Sequence, residues 1–370
     1  MKLTIRTLFA LIILSLCCLS NAQDRRSKSL FVVIVDDKRG YIDQNGKIVI
    51  RPQFEGASDF SEGLAVISTS KNGYKNKKGY IDESGSIVIP PEFDSAAEFS
   101  EGLAAVAFGE FTLHGGGDHI WGFIDKSGRF VISPRFHAAY GFSEGMCVVG
   151  NREGKKGYID KSGKLVIPYK YTWASGFSEG LACVNIGDHF GFIDKTGSMV
   201  IEPKFTSPGG FREGLSLTRI GGKTINQTPG AMIVGPLGGR SVYIDRSGKT
   251  IIELDEGIEH ARSFSEGLAP VGVIKSDGYL YYGYIDRTGQ FAIEPRFADA
   301  DTFSGGFARI LLNGKWGLID KTGEILFQTE FFLMREFQGG LAQVFDGEDL
   351  PSAKTGYIDR AGKIVWQPSK

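Results

Sequence analysis

Gly79-Tyr80-Ile81-Asp82-Glu83-Ser84-Gly85-Ser86-Ile87-Val88-Ile89, followed by Pro91-Glu92-Phe93 and then Phe99-Ser100-Glu101-Gly102-Leu103-Ala104, decides the fold. Two short apolar, β-branched runs flank Asp-x-x-Gly. In that spacing the Asp side chain accepts from the turn backbone and the Gly takes the positive-φ position of a tight turn. The runs therefore read as the two strands of a hairpin. The run after Phe-Ser-Glu-Gly reads as a third strand. Pro-x-Phe ends one strand and turns the chain toward the next.

The same sentence recurs along the chain. Its aspartates are Asp43, Asp82, Asp125, Asp160, Asp194, Asp245, Asp286, Asp320 and Asp359, which span 316 residues in eight steps, about 39.5 per unit. A glycine stands three residues after each. Phe60, Phe99, Phe142, Phe177, Phe211, Phe264, Phe303 and Phe337 open the second phrase, 17 residues after the Asp in seven units and 19 after Asp245. From that Phe to the next Gly-Tyr-Ile-Asp the distance varies from 14 to 31 residues. Each unit thus has one rigid segment and one elastic loop. These expectations describe an all-β chain of about nine three-stranded antiparallel meanders. Consecutive apolar residues in the strands imply that both faces of each small sheet are covered by stacking. A propeller-like closed ring and an open twisted array both satisfy that requirement.

Composition agrees. Of 370 residues 51 are glycine, 13 proline and 12% aromatic. The glycines follow no three-residue period, which excludes collagen. A 42% apolar content fills a core and excludes disorder. The net charge of −1 gives no electrostatic footprint for nucleic acid. Lys2 and Arg6 precede an apolar run from Leu8 to Leu19, and Asn21-Ala22 follows. This is the pattern of a secretory signal peptide cleaved after Ala22; a retained anchor or a lipidated Cys17 or Cys18 are the competing readings. The expected organisation is a leader over 1–22 and one repeat domain over 23–370, exported to the periplasm, envelope or medium, without a transmembrane segment in the mature chain.

The repeat resembles the bacterial WG (Trp-Gly) family of β-repeats. Trp121-Gly122-Phe123-Ile124-Asp125, Trp316-Gly317-Leu318-Ile319-Asp320 and Phe60-Ser61-Glu62-Gly63-Leu64-Ala65 carry the likeness, which covers about residues 30–370. Most units lack the Trp. The unit of Asp245 also departs, with Val242 for Gly, Glu256 in the slot of the Pro-x-Phe aromatic and two extra residues, and reads as the weakest joint. The resemblance implies an all-β repeat region of exported proteins. It implies no reaction and no cofactor.

Other motifs have structural readings. Gly141-Phe142-Ser143-Glu144-Gly145 and Gly176-Phe177-Ser178-Glu179-Gly180 satisfy Gly-x-Ser-x-Gly, but a nucleophile elbow leads from strand to helix, and here the serine belongs to a repeated turn. His114, Asp118 and His119 form a His-x₄-His loop, read as surface rather than metal site. Cys147 and Cys183 read as buried small residues, with a disulfide as the alternative. Tyr279, Tyr281 and Tyr282, with Trp121 and Trp316, are the candidate partner-binding residues, against a reading in which Tyr281 and Tyr282 extend a hairpin. The long loops at 110–120 and 219–241 are further candidates, since repeat scaffolds carry binding loops on one face. The expected function is a non-enzymatic exported scaffold binding a protein or envelope glycan, without cofactor or metal. A self-associating envelope protein is the alternative.

Overall fold

The computed structural model describes residues 29–71, 74–109, 119–222, 238–347 and 353–369; the leader and most of the loops at 110–120 and 219–241 lie outside them. Among the described residues every regular element is a strand. The first sheet contains β1 (Phe31–Val35), β2 (Lys38–Ile42) and β3 (Ile48–Phe54) in that order. The second contains β4 (Gly56–Ala57), β5 (Leu64–Lys71), β6 (Tyr74–Asp82) and β7 (Ile87–Phe93). Seven further sheets repeat this plan, the fifth and sixth joined by the single pair Phe205↔Ile220.

The sheet boundaries differ from the expected meander. The strand after Phe-Ser-Glu-Gly pairs with the hairpin that follows it, Leu64 opposite Asp82, not with the one before. The elastic loop is therefore a hairpin tip inside one sheet, and the rigid segment is the link between two. A short fourth strand, not foreseen, precedes it: Ala57 pairs with Ile67.

The Asp-x-x-Gly turns form as expected. Asp82 Oδ1 accepts from the amides of Ser84 (2.9 Å) and Ser86 (3.0 Å), and the Gly85 amide donates to the Asp82 carbonyl (2.9 Å). The glycine that opens the phrase has another cause. β7 is bulged opposite Gly79, pairing Phe93 with Lys78 but Ile89 with Tyr80. A Cβ on Gly79 would lie 2.5 Å from the Ile89 carbonyl oxygen. Pro90 and Pro91 are tolerated within β7 because it is the edge strand.

Nine apolar cores hold the sheets, each made between neighbours. Leu64, Tyr80, Ile89 and Phe93 of the second sheet meet Phe99, Ala104, Val106 and Ile124 of the third. The ninth core joins the ends: Phe31, Val33 and Ile42 of the first sheet pack with Leu341 and Tyr357 of the last. Tyr357 Oη donates to the Val32 carbonyl (2.7 Å), and the Phe31 and Tyr357 rings lie 5.6 Å apart. The sheets are not hydrogen-bonded into a barrel; they stack face to face and the last packs on the first, which closes the array. Coverage of both faces is incomplete at the perimeter. Ile87 is 54% exposed and Val88 40%, while Ile89 is buried. The outermost strand has no further neighbour, and the other sheets expose matching apolar residues, such as Ile48 and Val131.

The sequence anomalies near Asp245 are one event. Val242 stands where Gly would admit the bulge, and the outer strand pairs without it, Val242 opposite Glu253 and Tyr243 opposite Ile252. The chain then reaches the core early. Leu254, not Glu256, fills the aromatic slot, 4% exposed among Tyr243, Phe264 and Val271.

Gly79→Ala is expected to cost about 3 kcal/mol or more, because its Cβ would meet backbone rather than a side chain that can move. Urea unfolding of the variant checks it, with a loss under 1 kcal/mol refuting the close-approach explanation.

Candidate functional site

The phrase Phe-Ser-Glu-Gly builds the inter-sheet joint. Ser100 and Leu103 exchange backbone hydrogen bonds of 2.9 and 3.2 Å around Glu101 (φ 53°) and Gly102 (φ 86°). This is a tight type I′ turn, with both central residues left-handed. Glutamate is a costly choice there, since Cβ crowds the carbonyl by ~1 kcal/mol. Its side chain explains it. Glu101 Oε2 accepts from the Gly145 amide of the next turn (3.0 Å) and pairs with Lys161 (3.1 Å). Ser100 Oγ donates to the Phe142 carbonyl (2.6 Å), and the Phe142 ring packs edge-on against Phe123, 5.1 Å away. The clasp recurs from Glu62, Glu101, Glu144, Glu179, Glu213 and Glu266 to the following turn. Desolvation pulls the Glu101 pKa upward, but Lys161 and the turn amides outweigh it and hold the carboxyl below its ordinary value.

Two of the described turns lack the glutamate: Gly305 and Gly339 occupy its position in the eighth and ninth sheets. Here the joints are improvised. Gln44 Nε2 donates to the Gly339 carbonyl (2.8 Å). Tyr80 Oη donates to the carbonyl of Ala97, just past the next sheet's innermost strand (2.8 Å). The first sheet lacks that strand among the described residues, and the equivalent Tyr357 reaches Val32 on β1 instead.

A cavity of about 970 Å³ lies at this seam, bounded by the first, second, third, eighth and ninth sheets. Phe31, Tyr357 and Phe345 give it an apolar wall, and Asp59, Glu98, Glu336, Arg309 and Arg335 line it with charges of both signs. Burial raises the Asp59 carboxyl pKa against the pull of Arg335. Burial and then the Asp59 charge raise that of Glu98. Both carboxylates therefore favour a cation or a hydrogen-bond donor beside them. Arg309 is fixed by Asp301, which is 4% exposed (Nε to Oδ2, 2.5 Å), and lies 4.4 Å from the centre of the Trp316 ring.

A family model, the WG containing repeat, matches residues 40–74, 79–110, 121–155, 157–188, 190–223, 243–273, 282–316 and 316–348. The chain belongs to this family. The WG repeats thus coincide with units that start in one sheet and end in the next. No curated protein matches the chain. Its solved neighbours are distant. A protein of unknown function from Bacteroides caccae is 13% identical, with TM-score 0.30 over 61% of this chain and 93% of that one. Apo AztD from Citrobacter koseri is 14% identical, with TM-score 0.39 over 91% and 93%. A structure from work on two prolyl endopeptidases is 10% identical, with TM-score 0.46 over 85% and 49%. At these values the likenesses carry nothing about function.

The WG-repeat ring does not assemble the aromatic candidates into one surface. Trp316 (9% exposed) and Tyr282 (8%) are buried in inter-sheet cores. Trp121 is half-buried against the core of the third and fourth sheets. Tyr281 extends the hairpin opposite Val273, as its alternative reading held, and its hydroxyl donates to Asp277 (2.9 Å). Tyr279 alone of the five is freely exposed, at 69%. Ser143 and Ser178 donate to the carbonyls of Phe177 (2.7 Å) and Phe211 (2.6 Å), within the clasp. His119 is buried, its Nε2 2.9 Å from the Gly109 carbonyl; His114 and Asp118 lie outside the described residues. Among the described residues no cluster of three or more His, Cys, Asp or Glu stands together as a metal set. No helix there is long and apolar enough to cross a membrane. Cys147 and Cys183 are free and buried in different cores, and burial pushes each thiol up to about 12. The seam cavity escaped sequence reasoning. The two glycines in the glutamate slot were its only visible trace.

Two predictions follow from the clasp and the cores. Glu101→Ala should lower stability by about 1–2 kcal/mol at neutral pH, and Glu101→Gly by less, since glycine relieves the left-handed strain. A depressed carboxyl pKa contributes stability above its unfolded value and loses it as pH falls through the folded one. The Ala penalty should therefore shrink below about pH 4.5, the ordinary value for this carboxyl, in urea titrations across pH. Separately, Cys147 and Cys183 should resist alkylation at pH 8 in the native protein and react on unfolding; rapid native labelling would contradict their burial.

Proposed function

We propose that the chain is a non-enzymatic, exported scaffold that holds a protein partner at the seam cavity. The cavity itself carries this reading. It combines an aromatic wall with charged groups of both signs, the mixture that orients a polypeptide in a groove. Export rests on the leader pattern of residues 1–22. Ser143 and Ser178 donate to backbone carbonyls, which favours a structural role for the Gly-x-Ser-x-Gly turns over a nucleophilic one.

A second reading is self-association. The exposed apolar residues of the outermost strands, Ile87 and Val88 among them, recur around the perimeter and favour it. Self-association through the terminal strands has less support, since their inner faces pack on one another.

A photo-crosslinking residue at Gln343, inside the cavity, should capture one dominant partner in cells of the source organism. The same residue at Tyr279 or Val88 should not. Capture only at Tyr279 moves the site to the hairpin tip, and chain-to-chain adducts at Val88 favour self-association. The captured protein should begin at Gln23.

A further inference from the structure

We infer that the joint between the eighth and ninth sheets is a binding site for a carboxylate from outside the joint, held by Arg360 and the Gly340 amide, where six other joints supply a glutamate of their own. Those six define the site. In each, the turn glutamate accepts from the glycine amide of the following turn, as Glu101 does from Gly145 (3.0 Å) and Glu266 from Gly306 (3.0 Å). In five of the six it also pairs with the cation that follows the next turn aspartate, Lys126, Lys161, Lys195, Arg287 or Lys321, at 3.0–3.5 Å. In the eighth sheet Gly305 stands in the glutamate slot. The donors it faces by this rule are the Gly340 amide and Arg360, which follows Asp359.

The donors remain although the acid is gone. Among the described residues neither is engaged in a hydrogen bond or an ion pair. The Arg360 guanidinium lies over the Phe307 ring, 5.2 Å from its centre. A Cβ added to Gly305 would lie 3.3 Å from Arg360 Nη2, so the arginine reaches the place where a glutamate side chain would start. The joint has also parted. A cavity of about 220 Å³ lies in it, with Arg360, Phe307, Thr302, Ser304 and Phe337 on its wall. In the preceding joint Ser265 Oγ donates to the Phe303 carbonyl (2.7 Å); Ser304 makes no counterpart bond to Phe337. The local charges favour an anion. Asp301, on the same wall, is already held by Arg262 and Arg309. Glu336 lines both this cavity and the seam cavity and makes no ion pair with Arg360. The joint at Gly339 behaves differently, because the residue after its turn aspartate is the neutral Gln44, which donates to the Gly339 carbonyl and leaves no cation over. A guanidinium and a backbone amide around one carboxylate make charge-assisted hydrogen bonds, the strong kind. The cavity volume suits an acidic side chain or a free acid of a few carbons. The inference is independent of what the seam cavity holds, since neither Arg360 nor Gly340 lines that cavity.

Propionate is the glutamate side chain from Cβ outward, and it tests the site in the full chain. Titration followed by NMR of the Gly340 amide should give a saturable shift that neither propionamide nor chloride at equal ionic strength reproduces. Arg360→Gln should weaken binding about tenfold or more, the scale of one hydrogen bond to a charged group. Gly305→Glu should abolish it and raise the melting temperature, because six turns already carry glutamate at that left-handed position, with φ of 52–55°. The capped peptide acetyl-Ala-Glu-Ala-amide separates the sources. Tighter binding than propionate assigns the site to an acidic side chain of a polypeptide, and equal or weaker binding to a free acid. No saturable shift, an equal response to propionamide or chloride, or a Gly305→Glu protein that still binds propionate would overturn the inference.

Discussion

A sheet of three or four short strands has two faces to cover and only its neighbours to cover them. Everything else in this molecule follows from that constraint. Each apolar core belongs to a junction, so no sheet is stable alone and stability is approximately a sum over neighbours. The junction must also fix the angle between sheets, which apolar contact does poorly because it is non-directional. The Phe-Ser-Glu-Gly turn provides direction. Its ring packs against the previous sheet, while its hydroxyl and carboxylate seize backbone groups of the next. Glutamate tolerates a left-handed backbone there because glycine, the easier residue, has nothing to reach with.

The fold class, the unit count, the Asp-x-x-Gly turns and the buried cysteines were legible in the chain. The grouping of strands into sheets was not. A segment of constant length between Asp82 and Phe99 looks like the body of a unit, and a loop of variable length looks like a spacer. The physics runs the other way. A crossing between two stacked sheets spans a fixed distance and tolerates no insertion, whereas a hairpin tip projects into solvent and does. The burial of two aromatic candidates escaped the sequence for a related reason. Tyr282 and Trp316 occupy the slot just before the repeat glycine, and in their sheets that slot faces the core. In the third sheet Trp121 is only half-buried. The slot's residue type does not reveal which case applies.

The unit of Asp245 shows how one substitution propagates. Val242 forbids the crossing that Gly79 allows in the second sheet, so the outer strand loses the bulge at that position, keeps the one beside Tyr243, and meets the core two residues early. Read by composition, the unit is degenerate. Read by geometry, it is compensated, with Leu254 supplying the apolar volume and the two extra residues restoring the path to Phe264.

Closure follows from the same arithmetic of faces. Nine sheets in an open array would make eight junctions and leave Phe31, Val33 and Ile42 on one end face and Leu341 and Tyr357 on the other. These residues instead share one core. Exposing them would forfeit about 1.5–3 kcal/mol for each large side chain. The loop-closure cost of bringing the ends together rises only logarithmically with chain length, so ring closure is favoured once the accumulated turn aligns the last face with the first. At this joint Gly339 stands in the glutamate slot, Gln44 reaches its carbonyl from the first sheet, and the seam cavity lies alongside.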